Sequence, residues 1–479
     1  MGVELPAELW LQIFRLAVDD DPLLDHVLPT SMDVSSWHKL SGHPHLDDGG
    51  WALKTPHELL ALRQMRSYAT KKAILSTCRT WRQLGLEFLF RFLFFDDPSG
   101  LMHVCPVLDR ESKLGWWTKR LHITRFYAAA GTTFEETQNS LVSIIRHCPN
   151  LEIFIIHWPI HAAAPTVIDT LCTFCHRSLR TISLVVRVES LAKVILLLDS
   201  LPLLEVVNFA FDGSSPEFIP LGSMSNITLT LPSLRQLSLR GAFQDFLEQA
   251  SEWTMPALRV ASFDFLQYRE DLPDFVEFLT HHGAELTFLD IDCIPTLDIS
   301  TILDLCPLLT TFCFNPDWRL PGADAYPVGE SEIVRRPHRN IRTIGCHQLL
   351  YALGAGFAAR YAEIDPLSTR LIRRQNDANF AALNKRNFPQ LQCVRALSIP
   401  LLRHLEAQDG PDRHSDCYDR WQRWFDQCAH QDIRLEDCTG ALLGELPKDD
   451  CEVDSTETEE DTSQTLRELL AECKRMLPD

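Results

Sequence analysis

Apolar residues along this chain follow two rhythms. Over roughly the first hundred residues they recur every three or four positions, the period of helices with one buried face. Leu5, Leu9, Ile13 and Leu16 fall on one side of a helix predicted from about Pro6 to Val18, with Trp10 and Phe14 beside them. Pro6 suits the first helical position and Glu8 the positive end of the helix dipole. "DDDP" then ends the helix. Residues from about Asp19 to Arg66 are weakly periodic and read as a surface insertion, with one short helix around "HELLALRQM". Helical periodicity resumes over Tyr68–Phe95: Ile74, Leu75, Cys78, Trp81 and Leu84 make one stripe, and a second helix carries Phe88, Leu89, Phe92 and Leu93.

From about Trp117 the rhythm changes to a recurring L-x-x-φ-x-φ, where φ is apolar. Its copies include "CPNLEIFII", "LPLLEVVNF", "LPSLRQLSL", "MPALRVASF" and "CPLLTTFCF". The fourth positions are Phe154, Ile182, Val207, Leu237, Ala261, Leu289, Phe312 and Ile344, spaced 23 to 32 residues apart. An earlier copy centres on Leu121, a later one is "FPQLQCVRALSI", and "DIRLEDCTG" reads as a closing strand. In six copies a proline (Pro149, Pro202, Pro232, Pro256, Pro307, Pro389) stands two residues before the leading apolar position. Proline cannot continue the preceding helix, so it marks the turn from helix into strand. One unit cannot bury its own apolar side; neighbours must stack.

Composition narrows the function. A chain of 479 residues needs several domains or a repeat array. Its net charge of -20 speaks against nucleic-acid or anionic-membrane binding. No apolar run has the length of a membrane span. The 15 scattered cysteines, an odd count with no secretory signal, read as reduced thiols in the cytoplasm or nucleus.

The repeat resembles the leucine-rich repeat, without the asparagine that usually follows the strand. The front resembles the F-box: "LPAELWLQIFRLA" supplies Leu5, Pro6, Glu8, Leu9, Ile13 and Phe14, and "AILSTCRTWRQLG" supplies Leu75, Cys78, Trp81 and Leu84. The two halves stand about fifty residues further apart than in a compact F-box. Together they look like the large F-box families of mushroom-forming fungi. The resemblance implies an α/β protein. An all-α F-box (3–97, interrupted at about 19–66) precedes an irregular leucine-rich-repeat-like solenoid with a parallel sheet (117–440) and an acidic tail (441–479). It implies a non-catalytic substrate-recognition subunit of an SCF-type ubiquitin ligase, docking on a Skp-type adaptor and through it a cullin. A ligase-independent repeat scaffold is the alternative.

Two sets of site residues follow. Leu5, Pro6, Leu9, Trp10, Ile13, Phe14, Leu75, Cys78 and Trp81 would meet the adaptor. Strand alternation sends the fourth and sixth repeat positions into the core and the third, fifth and seventh to the concave face. A protein target would then meet His157, Asn208, Arg240, Asp264, Asp290, Asp292 and Asn315. No metal, cofactor or catalytic residue is expected. The C-x-x-C-H of "CTFCHR" reads as core cysteines, "HPHLDD" as a solvated loop, and "HELLA" lacks the second histidine of a zinc-protease helix. "LGAGFAAR" has a lone G-x-G. Residues 445–461 hold nine acids and one lysine, a solvated stretch in which Ser455, Thr456 and Thr458 would suit an acid-directed kinase.

Overall fold

The computed structural model describes residues 5–39, 51–128, 131–213, 227–265, 273–292, 298–317, 333–355, 357–406 and 416–443. The acidic tail from 444 onward, "HPHLDD" and Asn226 lie outside them.

Six of the repeats begin with the turn that their proline demands. The carbonyl of the residue before the proline accepts the N–H of the leading apolar residue, as Cys148 does from Leu151, Leu201 from Leu204, Leu231 from Leu234, Met255 from Leu258, Cys306 from Leu309 and Phe388 from Leu391. Proline presets the backbone angle of the second residue of such a turn. The leading residues Leu151, Leu179, Leu204, Leu234, Leu258, Leu286, Leu309, Ile341 and Leu391 are at most 1% exposed, so every copy drives its turn into the core.

The strands that follow form one sheet. Strands β1 (Ser36–Lys39) and β2 (Trp51–Lys54) make a separate antiparallel pair. The main sheet comprises β3 (Phe92–Phe95), β4 (Arg120–Ile123), β5 (Ile153–Pro159), β6 (Thr181–Arg187), β7 (Val206–Asp212), β8 (Gln236–Gly241), β9 (Val260–Asp264), β10 (Phe288–Asp292), β11 (Thr311–Phe314), β12 (Thr343–Cys346), β13 (Cys393–Ala396) and β14 (Arg434–Glu436). All twelve lie parallel and in chain order. The expected fourth positions form one unbroken row, Leu121–Phe154–Ile182–Val207–Leu237–Ala261–Leu289–Phe312–Ile344–Val394–Leu435. These residues are buried, and the helices joining the strands cover them. One register departs from expectation. A bulge in β5 sets Pro159, not His157, opposite Val185.

The first 91 residues hold α1 (Ala7–Val18), α2 (Pro56–Thr77) and α3 (Arg79–Arg91). The short helix expected around "HELLALRQM" and the first part of the stripe, Ile74 and Leu75, belong to one continuous 22-residue helix, α2, opened by a Thr55–Glu58 capping box; the stripe breaks at Cys78, and Trp81 and Leu84 lie on α3. The helix expected to carry Phe92 and Leu93 stops at Arg91, and "FLFF" becomes β3, the first strand of the main sheet, buried at every position. A run of four aromatic and aliphatic residues with both faces covered favours a strand over a helix. Its free edge is closed by Tyr68, whose hydroxyl donates to the Phe92 carbonyl at 2.8 Å and accepts the Phe94 N–H at 3.1 Å. The sheet thus starts upstream of the boundary expected near 117, and one core runs from Tyr68 to Leu443.

The sheet is strongly curved. Leu53 packs on Leu402 and Cys438, beyond β13 and β14, while the His57 ring lies 5.9 Å from that of His157 in β5. Four residues reach about 14 Å at most. A flat sheet would separate β5 from β14 by about 43 Å. The two ends therefore approach each other across the inner face.

Candidate functional site

Helix α1 sits on α2 and α3 by one side only. Phe14 and Val18 are buried with Ile74 and Phe88, and Trp10, Leu11, Trp81 and Leu84 close around them. The Trp10 and Trp81 rings are 4.5 Å apart, and Phe14 meets Trp81 edge-on at 5.0 Å. The opposite side of α1 is bare: Leu5 is 38% exposed, Leu9 42%, Ile13 42% and Leu16 82%. The expected adaptor residues therefore divide. Leu5, Pro6, Leu9, Ile13 and Cys78 are exposed, and Trp10 and Trp81 are half-buried. Phe14 and Leu75 are buried inside this chain, so neither side chain is open to a partner. Cys78 caps α3, its sulfur accepting the Trp81 N–H at 3.4 Å.

The aspartates after α1 have a structural task. Asp20 is buried, and its Oδ2 lies 2.7 Å from Nζ of Lys71, itself buried in α2. The ammonium also sits 5.2 Å from the centre of the Tyr68 ring and 5.1 Å from that of Phe92. Burial pushes the Asp20 carboxyl up and the Lys71 ammonium down, and their mutual attraction opposes both shifts.

From Asp20 the chain does not leave the body as an insertion. It crosses the inner face of the sheet as a strap. Arg120 of β4 donates to the Leu23 carbonyl at 3.2 Å, and the Thr181 hydroxyl of β6 to the His26 carbonyl at 2.6 Å. The Gln236 amide of β8 brackets Leu28, accepting its N–H at 3.2 Å and donating to its carbonyl at 3.1 Å. Ser31 donates to the Cys313 sulfur of β11 at 3.7 Å, and Arg395 of β13 donates to the Met32 carbonyl at 2.5 Å. The Ser35 N–H ends the crossing on the Cys438 carbonyl at 2.9 Å. The Leu28 side chain is buried against Ile153, Ile155 and Val206. Weak periodicity hid this segment: its partners are side chains scattered over the sheet, and nothing in its own spacing points to them.

The expected target-binding residues lie beside and beneath the strap. Arg240 and Asp264 pair at 2.9 Å on adjacent strands. His347 Nε2 lies 2.6 Å from Asp290 Oδ1, its Nδ1 lies 3.6 Å from Asp292, and Asn315 donates to Asp292 at 3.2 Å. Burial disfavours charge on His347, but Asp290, then Asp292 and Asp264, outweigh it and lift the imidazole to about 9. Asp264 is pushed up by burial against the pull of Arg240. Asn208 is bound to Ser183 at 3.1 Å. His157 belongs to a separate cluster, 3.3 Å from His122, with loss of solvation first, then His57 and Arg120, holding it below the ordinary imidazole value. Asp290 and Asn315 are buried, which leaves Arg240, Asp264 and Asp292 as the accessible charges of this set.

Among the described residues, no group of three or more His, Cys, Asp or Glu side chains is arranged to hold a metal ion, and no helix is long and apolar enough to cross a membrane. Cys175 is buried with its thiol 3.7 Å from the Cys148 carbonyl, and burial raises both thiols to about 12. A second apolar patch escaped the sequence reading: Phe357, Tyr361, Ile364, Leu367 and Leu371, 36% to 79% exposed on two consecutive helices. Comparison with family models and with curated proteins finds no match to this chain.

Proposed function

We propose that this protein is a substrate-recognition adaptor of an SCF-type ubiquitin ligase, with α1 docking on a Skp-type adaptor and the inner face of a leucine-rich-repeat-like solenoid holding a protein target. The observation that carries the reading is the pairing of the two motif segments. Residues that stand far apart in sequence meet at the Trp10, Phe14 and Trp81 rings, and the contact leaves Leu5, just before α1, and Leu9, Ile13 and Leu16 on it facing outward. An amphipathic helix with a bare apolar stripe is a standard element for docking on a partner's groove.

The test is capture of a purified Skp-type adaptor by the full chain. Leu9→Asp with Ile13→Asp should abolish capture and leave the melting temperature nearly unchanged, because both side chains are exposed. Unchanged capture by the double variant, or none by the parent protein, defeats the ligase reading and favours a scaffold that works without a cullin.

A further inference from the structure

The contacts made by residues 22–35 have the form of ligand recognition. A packing segment offers side chains to side chains. This one is held largely by its backbone: carbonyls of Leu23, His26, Leu28 and Met32 accept from Arg120, Thr181, Gln236 and Arg395. Gln236 satisfies both the N–H and the carbonyl of one residue, which reads an extended chain whatever its side chain. An aliphatic slot formed by Ile153, Ile155 and Val206 takes the side chain of that same residue, Leu28; Leu23 is also buried, and the His26 ring lies 3.3 Å from Glu152. Between a 3-10 turn at Asp21–Leu24 and a turn over 30–33, residues 25–29 run free of helix, and backbone clamps on such a stretch with a slot for its side chain are how a surface recognises a peptide.

We propose that the inner face is a binding groove for a polypeptide segment that is extended about a leucine-sized residue at its clamp and turns on either side of it, and that residues 22–35 fill it as a resident ligand in cis. A partner segment of the same chemistry engages the groove by displacing the strap. Ordering an extended segment costs about 1–2 kcal/mol per residue in backbone entropy. Much of the strap's contact energy is therefore spent on its own ordering, so exchange is accessible. A tethered ligand competes at an effective concentration of about a millimolar, so the groove is largely closed to weak segments until the strap is loosened. The proposal rests on the reading of the inner face as the target site, and it stands whether or not α1 docks on an adaptor.

Ser31 and Cys313 provide the lock for a test, since Ser31 Oγ is 3.7 Å from the Cys313 sulfur. The probe is a fluorescent peptide of residues 22–36, PLLDHVLPTSMDVSS, titrated into the full-length protein. Ser31→Cys, oxidised, should form a disulfide with Cys313, identified by peptide mapping. It should lose probe binding about tenfold or more relative to its reduced form. Leu28→Asp, which loosens the strap, should bind the probe at least about tenfold more tightly than the parent, and adding Gln236→Ala should reverse that gain. Equal probe binding in the oxidised and reduced states overturns the proposal, as does failure of the disulfide to form. Should Leu28→Asp not fold, the redox pair decides alone; should it fold and bind no more tightly, the strap is structure and the groove is not reused.

Discussion

Lys71 and Asp20 are worth most as a pair. Each alone would be a charge buried beneath α1 and the first strand, where solvation is lost and only the other compensates. Lys71→Met should therefore destabilise the fold by about 3–5 kcal/mol in chemical denaturation, whereas Lys71→Met with Asp20→Leu should recover most of that loss. A double variant no better than the single would mean the carboxylate had found water or another donor. His347 gives a second residue-scale expectation, with a sign. Its folded pKa lies at about 9, above the ordinary imidazole value. The stabilisation from its contacts with Asp290 and Asp292 is complete below about pH 6.5 and is lost as pH rises through about 9. His347→Gln should accordingly show a smaller fall in melting temperature between those two values than the parent does. Equal falls would leave the loss to the buried thiols, which also resist ionisation.

Helix α1 shows how far a pattern of apolar positions can go and where it stops. Spacing places Leu5, Leu9, Ile13 and Leu16 on one face with Phe14 beside it, but cannot say which face turns inward. The aromatic side does, because three rings can nest against α2 and α3 while the aliphatic row cannot reach them at the same time. Phe14→Ala should cost about 3–5 kcal/mol, as truncations of buried aromatics do. Leu9→Asp should cost under about 0.5 kcal/mol, being a surface change. Reversed costs would turn the helix over. The strands were legible for a different reason. Nine copies carry a leading leucine or isoleucine and apolar alternation, and six of these a turn proline, so the register of β5 to β13 could be read copy by copy. Strand β3 was not, since "FLFF" lacks alternation and follows a helical run directly. The bulge in β5 was invisible because "IFIIHWP" keeps its apolar texture through the irregularity.

At the scale of the molecule the strap is a chord across a curved sheet, and its far anchor is Arg395. That guanidinium, on β13, holds the Met32 carbonyl at 2.5 Å and Glu436 of β14 at 2.6 Å, and Glu436 is buried. One side chain therefore joins the strap to the last two strands. The near anchors, Arg120 and Thr181, lie on β4 and β6, so tension between the ends of the sheet passes along residues 23–32. Arg395→Met keeps the length and apolar stem of the side chain but removes its donors. It leaves Glu436 paired with Arg434, 3.2 Å from its other oxygen, so the cost falls below the value of about 3–5 kcal/mol for a buried charge left without any partner. Hydrogen exchange should then quicken in two places at once: at β14, and at strap amides as far away as Leu28, whose N–H is held by Gln236. An increase at β14 alone would mean the strap is pinned strand by strand and carries nothing between the ends. An increase at both would make residues 22–35 the element through which the two ends of the sheet sense each other.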